Sequence, residues 1–313
     1  MPKKIAFLFP GQGAQAVGMG KDFYNSFAEA REIFQHGDEL LNRSLSKVIF
    51  EGPAEILTET RNSQTGIYLT SFAILQVLKK QFPDLKPAIC AGLSLGEYTA
   101  LSASGRVPFE TCLPLVQYRG DVMNEACETS QGGMAALFGL SAEEVEGLVR
   151  SLNLPHDLWV ANFNCPGQTV ISGTLKGIEL GIAAAKERGA KRAIPLKVHG
   201  AFHSGLMNLA EEKLASKIGE IEILPSSVRL VMNVSGNFVD DPAQIRQNMI
   251  RQVTSSVRWE QSIQQMMPFV DLYIEIGCGK TLAGMNRQMG ITVPTLTINT
   301  LEDLERLHEI TSG

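Results

Sequence analysis

One serine of the sequence stands in a setting that favours nucleophilic chemistry, at the centre of the stretch GLSLG, residues 92–96. A G-x-S-x-G pattern between a strand and a helix is typical of a nucleophile elbow, a tight turn that exposes the serine hydroxyl. The apolar run 87–91 precedes the pattern, and EYTALSAS can begin a helix after it. Ser94 is therefore a candidate nucleophile, and a glycine-rich turn whose serine only caps the helix is the alternative.

A serine nucleophile needs a general base, and two histidines stand together in KVHGAFHSGLM. His199 and His203 are four residues apart, a spacing that can ligate a metal on one helix face. Here Gly200 and the preceding strand interrupt the helix, and neither H-E-x-x-H nor a cysteine pair supplies a further ligand. We expect no metal, and one of the two histidines as the base for Ser94.

The glycine-rich stretch KIAFLFPGQGAQA, residues 4–16, permits two interpretations. It fits the loose dinucleotide fingerprint G-x-G-x-x-G/A, but its amides could instead donate hydrogen bonds to a reacting oxygen. A dinucleotide fold places an acidic residue at the end of a second strand about 20 residues later. The segment NSFAEAREIFQ found there is helical in pattern, and no P-loop spacing is present. We therefore expect no nucleotide cofactor and no redox cofactor.

The apolar spacing predicts strands that alternate with helices, as in an α/β fold with a parallel sheet. The first part of the chain predicts strands at 5–9 and 87–91 and helices at about 22–41 and 67–82. From residue 134 the order becomes β-α-β-β-α-β, the ferredoxin-like arrangement, in which a capping box opens the first helix and the last strand is 193–198. Strands at RLVMNV and DLYIEIG resume the earlier alternation. The sequence thus predicts a large domain, residues 1–130 and 199–313, interrupted by a small domain, residues 131–198.

Composition excludes several classes of protein. With 313 residues and 44% hydrophobic residues the chain can bury a large core, and a net charge of −5 argues against a nucleic-acid partner. No apolar run approaches the roughly 20 residues that span a bilayer, and the N-terminus does not resemble a signal peptide. The five cysteines are scattered without a C-x-x-C pair. We expect reduced thiols, a cytoplasmic location and no membrane association.

Six motifs identify a family: FPGQGAQ, GLSLGEYTAL, QYRGDVM, NFNCPGQTVISG, GAFHSGLM and TSSVRW. In this order and spacing, from Phe7 to about Gly284, they resemble malonyl-CoA:acyl carrier protein transacylases. The resemblance implies an α/β-hydrolase-like large domain with a parallel sheet and an inserted ferredoxin-like (βαββαβ) small domain. Because the chain ends cleanly on both sides, it resembles the stand-alone enzyme of bacterial-type fatty acid synthesis more than a polyketide synthase domain, and we expect a monomer.

The resemblance also implies roles for residues at matching positions. Ser94 would be the acylated nucleophile, and His203 the base, oriented by a backbone carbonyl. The amides of Gln12 and Leu95 would form the oxyanion hole, so that PGQG serves an oxygen and not a phosphate. The remaining matches concern the substrate: Arg119 for the malonyl carboxylate, Gln252 in the wall of the site, Phe202 limiting the size of the acyl group, and Asn162 and Ser172 in the small-domain motif.

The implied reaction moves malonyl from malonyl-CoA to the phosphopantetheine thiol of acyl carrier protein through a malonyl-Ser94 ester. One position departs from the family pattern, because Leu93 stands where a histidine is usual, and this changes the wall beside the serine. Two other functions remain open. A thioester hydrolase would not need Arg119, and a catalytically silent carrier-binding module would need neither Ser94 nor His203.

Overall fold

The computed structural model describes residues 3–198 and 200–312 of the chain. Within this part, eleven strands form two sheets. In chain order, the strands are β1 (Ile5–Phe9), β2 (Pro87–Gly92), β3 (Gly132–Phe138), β4 (Leu158–Cys165), β5 (Gln168–Thr174), β6 (Arg192–Pro195), β7 (Arg229–Met232), β8 (Asn237–Phe238), β9 (Val257–Arg258), β10 (Leu272–Ile276) and β11 (Thr295–Ile298).

Fourteen α-helices lie between and around these strands in the described residues. They are α1 (Lys21–Ser26), α2 (Ala28–Leu41), α3 (Leu45–Glu51), α4 (Ala54–Thr58), α5 (Thr60–Gln81), α6 (Gly96–Ala103), α7 (Phe109–Thr129), α8 (Ala142–Leu152), α9 (Leu175–Glu187), α10 (Asn208–Glu220), α11 (Pro242–Arg251), α12 (Trp259–Met266), α13 (Thr281–Gln288) and α14 (Leu301–Ser312). Short 3₁₀ turns follow at Gly205–Met207 and Met267–Phe269.

The large sheet has six strands in the order β11-β10-β1-β2-β7-β8. All neighbouring strands are parallel except β7 and β8. Every residue of β1 and β10 is buried, as expected for central strands covered on both faces. The predicted α/β fold with a parallel sheet is therefore confirmed. Since β1 and β2 are neighbours, the glycine-rich turn after β1 and the serine turn after β2 emerge side by side at the carboxyl edge of the sheet.

The small sheet has five strands in the order β6-β3-β5-β4-β9. Its first four strands and the helices α8 and α9 follow the predicted β-α-β-β-α-β order, and the first four strands pair antiparallel. The capping box is present, because the Ser141 side chain accepts from the Glu144 amide while the Glu144 carboxylate accepts from the Ser141 amide. The fifth strand, β9, was not predicted; it comes from the TSSVRW motif and pairs parallel with β4.

Three predicted elements have different bounds in the structure. The helix expected over 22–41 is two helices, because the backbone of Phe27 is extended between α1 and α2. The helix expected from residue 67 begins seven residues earlier, at Thr60. The residues of its first turn are polar, so apolar spacing does not reveal the turn, although most of them are buried. The last strand of the small sheet ends at Pro195 and not at residue 198, because the register with β3 extends only to Pro195 and is followed by a single further bond, from the amide of Leu196 to the carbonyl of Met134.

The core lies on both faces of the large sheet. On one face, α5 is buried along most of its length and packs between α2 and α7. On the other face, α12 and α13 cover the sheet with Trp259, Ile263 and Leu282. No helix in the described residues is long and apolar enough to cross a bilayer. The described side chains also bring together no group of three His, Cys, Asp or Glu residues that could hold a metal ion.

Candidate active site

Ser94 lies in the turn between β2 and α6, with a φ of 50° in the left-handed region. Two glycines permit this turn. A Cβ on Gly92 would lie 2.0 Å from the carbonyl carbon and oxygen of Gly96, and a Cβ on Gly96 would lie 2.1 Å from the carbonyl oxygen of Phe9. Side chains do not fit at such distances, so the chain needs glycine at both positions. The strained serine between them has the geometry of a nucleophile elbow.

The hydroxyl of Ser94 faces an imidazole. Its Oγ lies 2.8 Å from Nε2 of His203. Nδ1 of the same ring lies 2.9 Å from the carbonyl oxygen of Gln252 and 3.2 Å from that of Ser255. Because a carbonyl oxygen can only accept a hydrogen bond, Nδ1 carries the proton and Nε2 accepts from the serine. Backbone carbonyls thus orient the histidine, which is the kind of contact that the resemblance implies.

Burial keeps this imidazole neutral. Burial, with a smaller contribution from the nearby charge of Arg119, lowers the pKa of His203 to about 4 against the opposing effect of the two carbonyl acceptors. A neutral Nε2 at physiological pH can take the proton of Ser94. The other histidine of the pair, His199, lies outside the described residues.

A buried cation lies on the other side of the serine hydroxyl. Arg119 on α7 has no exposed surface, and its Nη2 is 3.2 Å from Oγ of Ser94 and 2.9 Å from Oε1 of Gln252. Nη1 donates to Oε1 of Gln64, and the guanidinium carbon lies 5.3 Å from the centre of the Tyr98 ring. Burial lowers the pKa of Arg119, but a guanidinium keeps its charge in proteins. A cation at this distance can stabilise negative charge on the serine oxygen.

Hydrogen bonds hold the backbone of the serine on both sides. The amide of Ser94 donates to Oδ1 of Asn233 over 2.7 Å, and the carbonyl of Ser94 accepts from Nε2 of Gln252 over 2.9 Å. Asn233 also donates from Nδ2 to the carbonyl of Gly92 over 2.7 Å. The turn is therefore clamped by two side chains that come from distant parts of the sequence.

A cavity of about 760 Å³ opens beside the serine, between the glycine-rich turn, the start of α5, the small sheet and α13. Five of the predicted site residues line it: Ser94, His203, Gln12, Phe202 and Asn162. The predicted residues Leu95, Arg119 and Gln252 are fully buried behind the serine and do not line the cavity. Leu93, which the resemblance places where a histidine is usual, forms part of the cavity wall.

Two backbone amides next to the serine are free to bind a further oxygen. In the described part of the chain, the amides of Gln12 and Leu95 donate to no acceptor. Gln12 lies in the turn after β1, and Leu95 directly follows Ser94 at the start of α6. Unpaired donors from a strand turn and a helix N-terminus are suited to stabilise negative charge on a carbonyl oxygen.

Four polar residues of this region were not predicted from the sequence. Gln64 on α5 connects Arg119 to Gln12, since its Nε2 lies 3.2 Å from Oε1 of Gln12. Glu97 and Asn233 lie beneath the turn, and Asn164 lines the cavity with a buried Oδ1 that has no partner among the described residues. Two of the four had a signal. Glu97 closely follows the elbow, and Asn164 is the second asparagine of the NFN motif that contains Asn162.

Together these groups can perform nucleophilic acyl transfer. A serine with a neutral histidine as base and a cation beside its oxygen can attack a carbonyl carbon, and two free amides can stabilise the resulting oxyanion. The residues next to the cavity also include a guanidinium, which binds carboxylates in two-point fashion. Either water or a thiol can then accept the acyl group from the serine.

Comparison with known proteins shows to which family the chain is similar. The acyl transferase domain family matches residues 6–288. The malonyl CoA-acyl carrier protein transacylase of Bacillus subtilis is 43% identical over 304 residues, which are 96% of this chain and 95% of that protein. The corresponding protein of Haemophilus influenzae is 35% identical over 98% of this chain and 99% of its own length.

Solved structures agree with these relatives. The crystal structure of acyl-carrier-protein-S-malonyltransferase from Bartonella henselae matches with a TM-score of 0.94 at 36% identity, over 99% of this chain and 100% of that one. A second match is a malonyl-transacylase whose structure is a complex with a type II PKS acyl-carrier protein. It has a TM-score of 0.92 and 32% identity, over 96% of this chain and 98% of that one.

Proposed function

The chain belongs to the malonyl-CoA:acyl carrier protein transacylase family, and from this premise we propose how its residues carry out the reaction. The enzyme transfers malonyl from malonyl-CoA to the phosphopantetheine thiol of acyl carrier protein and so supplies fatty acid synthesis. The observation that carries the assignment of roles is the contact of one serine oxygen with both a base and a cation. Oγ of Ser94 lies 2.8 Å from His203 and 3.2 Å from Arg119.

The proposed reaction has two half-reactions that use the same groups. His203 takes the proton of Ser94 as Oγ attacks the thioester carbonyl, and the amides of Gln12 and Leu95 stabilise the oxyanion. When the carbon–sulfur bond breaks, the imidazolium returns the proton to the departing CoA thiolate. The thiol of the carrier then gives its proton to His203 and attacks the malonyl-Ser94 ester, and Ser94 recovers the proton as the ester bond breaks.

Selection of malonyl is proposed to rest on Arg119 and Phe202. The guanidinium already donates to the neutral oxygens of Gln64 and Gln252, and a carboxylate is a stronger acceptor for the same fork. An acetyl group offers no such acceptor. Phe202 is largely buried in the cavity wall, where its ring limits the bulk of an acyl group that carries a branch.

The two sheets are proposed to be two structural units with different tasks. The unit of residues 1–130 and 199–313 is α/β-hydrolase-like and holds the nucleophile, and the unit of residues 131–198 is ferredoxin-like. The strand order β6-β3-β5-β4 supports this second description. One face of the small sheet lines the cavity with Asn162 and Asn164. These side chains can bind the amides of the pantetheine arm, which malonyl-CoA and the carrier share.

The carrier is proposed to dock on exposed basic residues of the small unit. Lys186, Arg188, Lys191 and Arg192 are all exposed around the end of α9 and the start of β6. The chain leads from there directly to the cavity, because Lys197 lies in the cavity wall. Acyl carrier proteins are typically acidic, and this enzyme has a net charge of −5, so a local basic surface is needed for attraction. A monomeric state and a cytoplasmic location stay predictions.

Intact mass spectrometry tests this function. Mixed with malonyl-CoA alone, the protein should gain one malonyl group, and peptide mapping should place it on Ser94. Addition of carrier protein with its phosphopantetheine arm should move the malonyl group to the carrier. A thioester hydrolase would release free malonate at the same rate with and without the carrier, and that result would overturn the proposed transfer. An adduct on Cys90 would overturn the role of Ser94.

A further inference from the structure

A carboxyl group without a role in the proposed reaction lies directly beneath the nucleophile. Glu97 is on α6, three residues after Ser94, and is fully buried. It does not line the cavity. Because burial of a carboxylate is costly unless it is well paired, its surroundings indicate what holds it there.

Both oxygens of Glu97 bind groups that position the serine. Oε2 accepts from the backbone amide of Asn233 over 2.5 Å, and Oε1 accepts from Nε2 of Gln252 over 2.8 Å. These two residues are the ones that hold the amide and the carbonyl of Ser94. A single carboxylate therefore connects both clamps of the strained turn.

The same carboxylate also determines which way the amide of Gln252 points. Oε1 of Gln252 accepts from the Arg119 cation over 2.9 Å, while Nε2 donates to the Glu97 anion. The reversed amide would place its NH₂ against a guanidinium and its oxygen against a carboxylate. The backbone carbonyl of Gln252 then orients His203 over 2.9 Å. The side-chain amide of Gln252 thus bridges the Arg119 cation and the Glu97 anion, and the backbone carbonyl of the same residue contacts the base.

We propose that Glu97 is a positioning residue of this enzyme: its carboxylate holds Asn233 and Gln252, and through them Ser94 and His203, and balances the charge of Arg119 before malonyl binds. This proposal rests on the proposed function. Glu97 touches neither substrate nor the reacting atoms, so its effect on the reaction is indirect. The malonyl carboxylate takes over part of the charge balance when it arrives.

The electrostatics of the site give this proposal a pH signature. Burial raises the pKa of Glu97 to about 7, against the opposing effects of its two hydrogen bonds and of Arg119. The charged and titratable groups that act on it are Arg119 on α7 and Tyr98 on its own helix. The other two groups that contact it, the backbone amide of Asn233 and the side-chain amide of Gln252, do not titrate. His203 stays neutral down to about pH 4. The acid limb of serine acylation should therefore follow Glu97, with a midpoint near 7.

The first experiment compares Glu97→Gln with the wild type in single-turnover labelling of Ser94 by malonyl-CoA. A glutamine has one acceptor oxygen, so one of the two clamps loses its partner, and the maximal labelling rate should fall about 10- to 100-fold. The half-saturating concentration of malonyl-CoA should stay the same or fall, because Arg119 then has no competing anion. A rate within about twofold of the wild type, or a half-saturating concentration that rises in step with the rate loss, overturns the proposal.

The second experiment is the pH profile of the same rate between pH 4 and 9. The wild type should lose activity through a midpoint near 7, and Glu97→Gln, which cannot titrate there, should show an acid limb only near the pKa of His203, about 4. A limb near 7 that survives in Glu97→Gln belongs to another group and overturns the proposal. Glu97→Asp keeps the charge and should recover part of the rate and the limb near 7.

A control variant distinguishes a positioning role of Glu97 from a general loss of stability. A second probe distinguishes failure of this proposal from failure of the proposed function. Glu275 is also fully buried with a pKa raised to about 7, but it binds the amides of Leu282 and Ala283. Glu275→Gln should lower thermal stability about as much as Glu97→Gln does, but its labelling rate should keep the acid limb near pH 7. A fluorophosphonate that reacts with Ser94 reports the serine–histidine pair without malonyl. A wild type that reacts with this probe and not with malonyl-CoA contradicts only the proposed function, whereas equal probe rates in wild type and Glu97→Gln contradict only the role of Glu97.

Discussion

The polar groups of Ser94 and two polar side chains of the small sheet differ in whether they have hydrogen-bond partners inside the protein. At the turn, the amide, carbonyl and hydroxyl of Ser94 each have a partner inside the protein. On the small sheet, the buried Oδ1 of Asn164 and Oγ of Ser172 have none among the described residues. Reacting atoms must be held still, whereas a surface that binds and releases a substrate arm needs hydrogen-bonding groups that are still free.

The two regions also differ in whether their charged side chains are buried or exposed. The turn has buried charges, Arg119 and Glu97, connected through Gln252. The small unit has exposed lysines and arginines near the end of α9. Buried charges in a dry site act strongly over short distances, and exposed charges act weakly and mainly on association. We therefore expect changes at the turn to affect the chemical step and changes in the small unit to affect recognition.

The largest effect is expected at the nucleophile. Ser94→Ala removes the oxygen that forms the ester, so malonyl labelling should disappear and transfer to carrier should fall by at least about 10⁴-fold. Intact mass and a transfer assay measure both. The variant should fold, because the backbone clamps of residue 94 do not involve the side chain. Transfer that persists without an adduct would contradict the covalent route.

The second effect concerns the buried cation. Loss of one member of a buried charge pair costs about 2–5 kcal/mol, so Arg119→Ala should lower kcat/KM for malonyl-CoA by roughly 30- to several-thousand-fold. Acetyl-CoA should become an equal or better donor, because it no longer leaves an unpaired cation. Arg119→Lys should restore only part of the preference, since the charge remains without the fork. A folded alanine variant that still prefers malonyl would show that Arg119 does not bind the carboxylate.

Charge reversal at the proposed docking surface for the carrier should have a smaller effect than the changes at Ser94 and Arg119. Exchange of Lys191 and Arg192 for glutamate should raise the KM for carrier protein roughly tenfold and should leave acylation by malonyl-CoA unchanged. The effect should shrink as salt is added. Lys47 and Lys80, which lie outside the small unit, provide a matched double reversal for comparison. Equal losses in both half-reactions would point to damage to the fold instead of a docking surface.

The smallest effect is expected at the unpartnered groups of the small sheet. Asn164→Ala should raise the KM for malonyl-CoA about fivefold with little change in kcat, because one hydrogen bond to the pantetheine arm is lost. Ser172→Ala removes a buried hydroxyl that has no partner within the described part of the chain, so thermal stability should not fall. If Asn164 only forms part of the cavity wall, Asn164→Ala keeps the wild-type KM, and the contrast between the two regions loses its functional meaning.

Local patterns predicted several elements correctly. The first strand has the predicted bounds, Ile5–Phe9, and the β-α-β-β-α-β order and its capping box are present. The family predicted from six motifs is confirmed by its relatives. The strand and the capping box depend on residues within a few positions of each other, where side-chain periodicity and backbone sterics act directly. The single helix expected over 22–41 was wrong. No short sequence pattern marks the extended backbone of Phe27, which divides this stretch into two helices.

By itself, the sequence determined where a tight strand-to-helix turn must form, since GLSLG places glycines at positions where a Cβ would collide. Only the tertiary structure decided what surrounds that serine. His203, Asn233 and Gln252 reach it across 109, 139 and 158 residues of chain. The parallel strands β1, β2 and β7 and the pairing of β9 with β4 bring these segments together. Contacts over such separations depend on the packing of the whole core, and no local spacing encodes them.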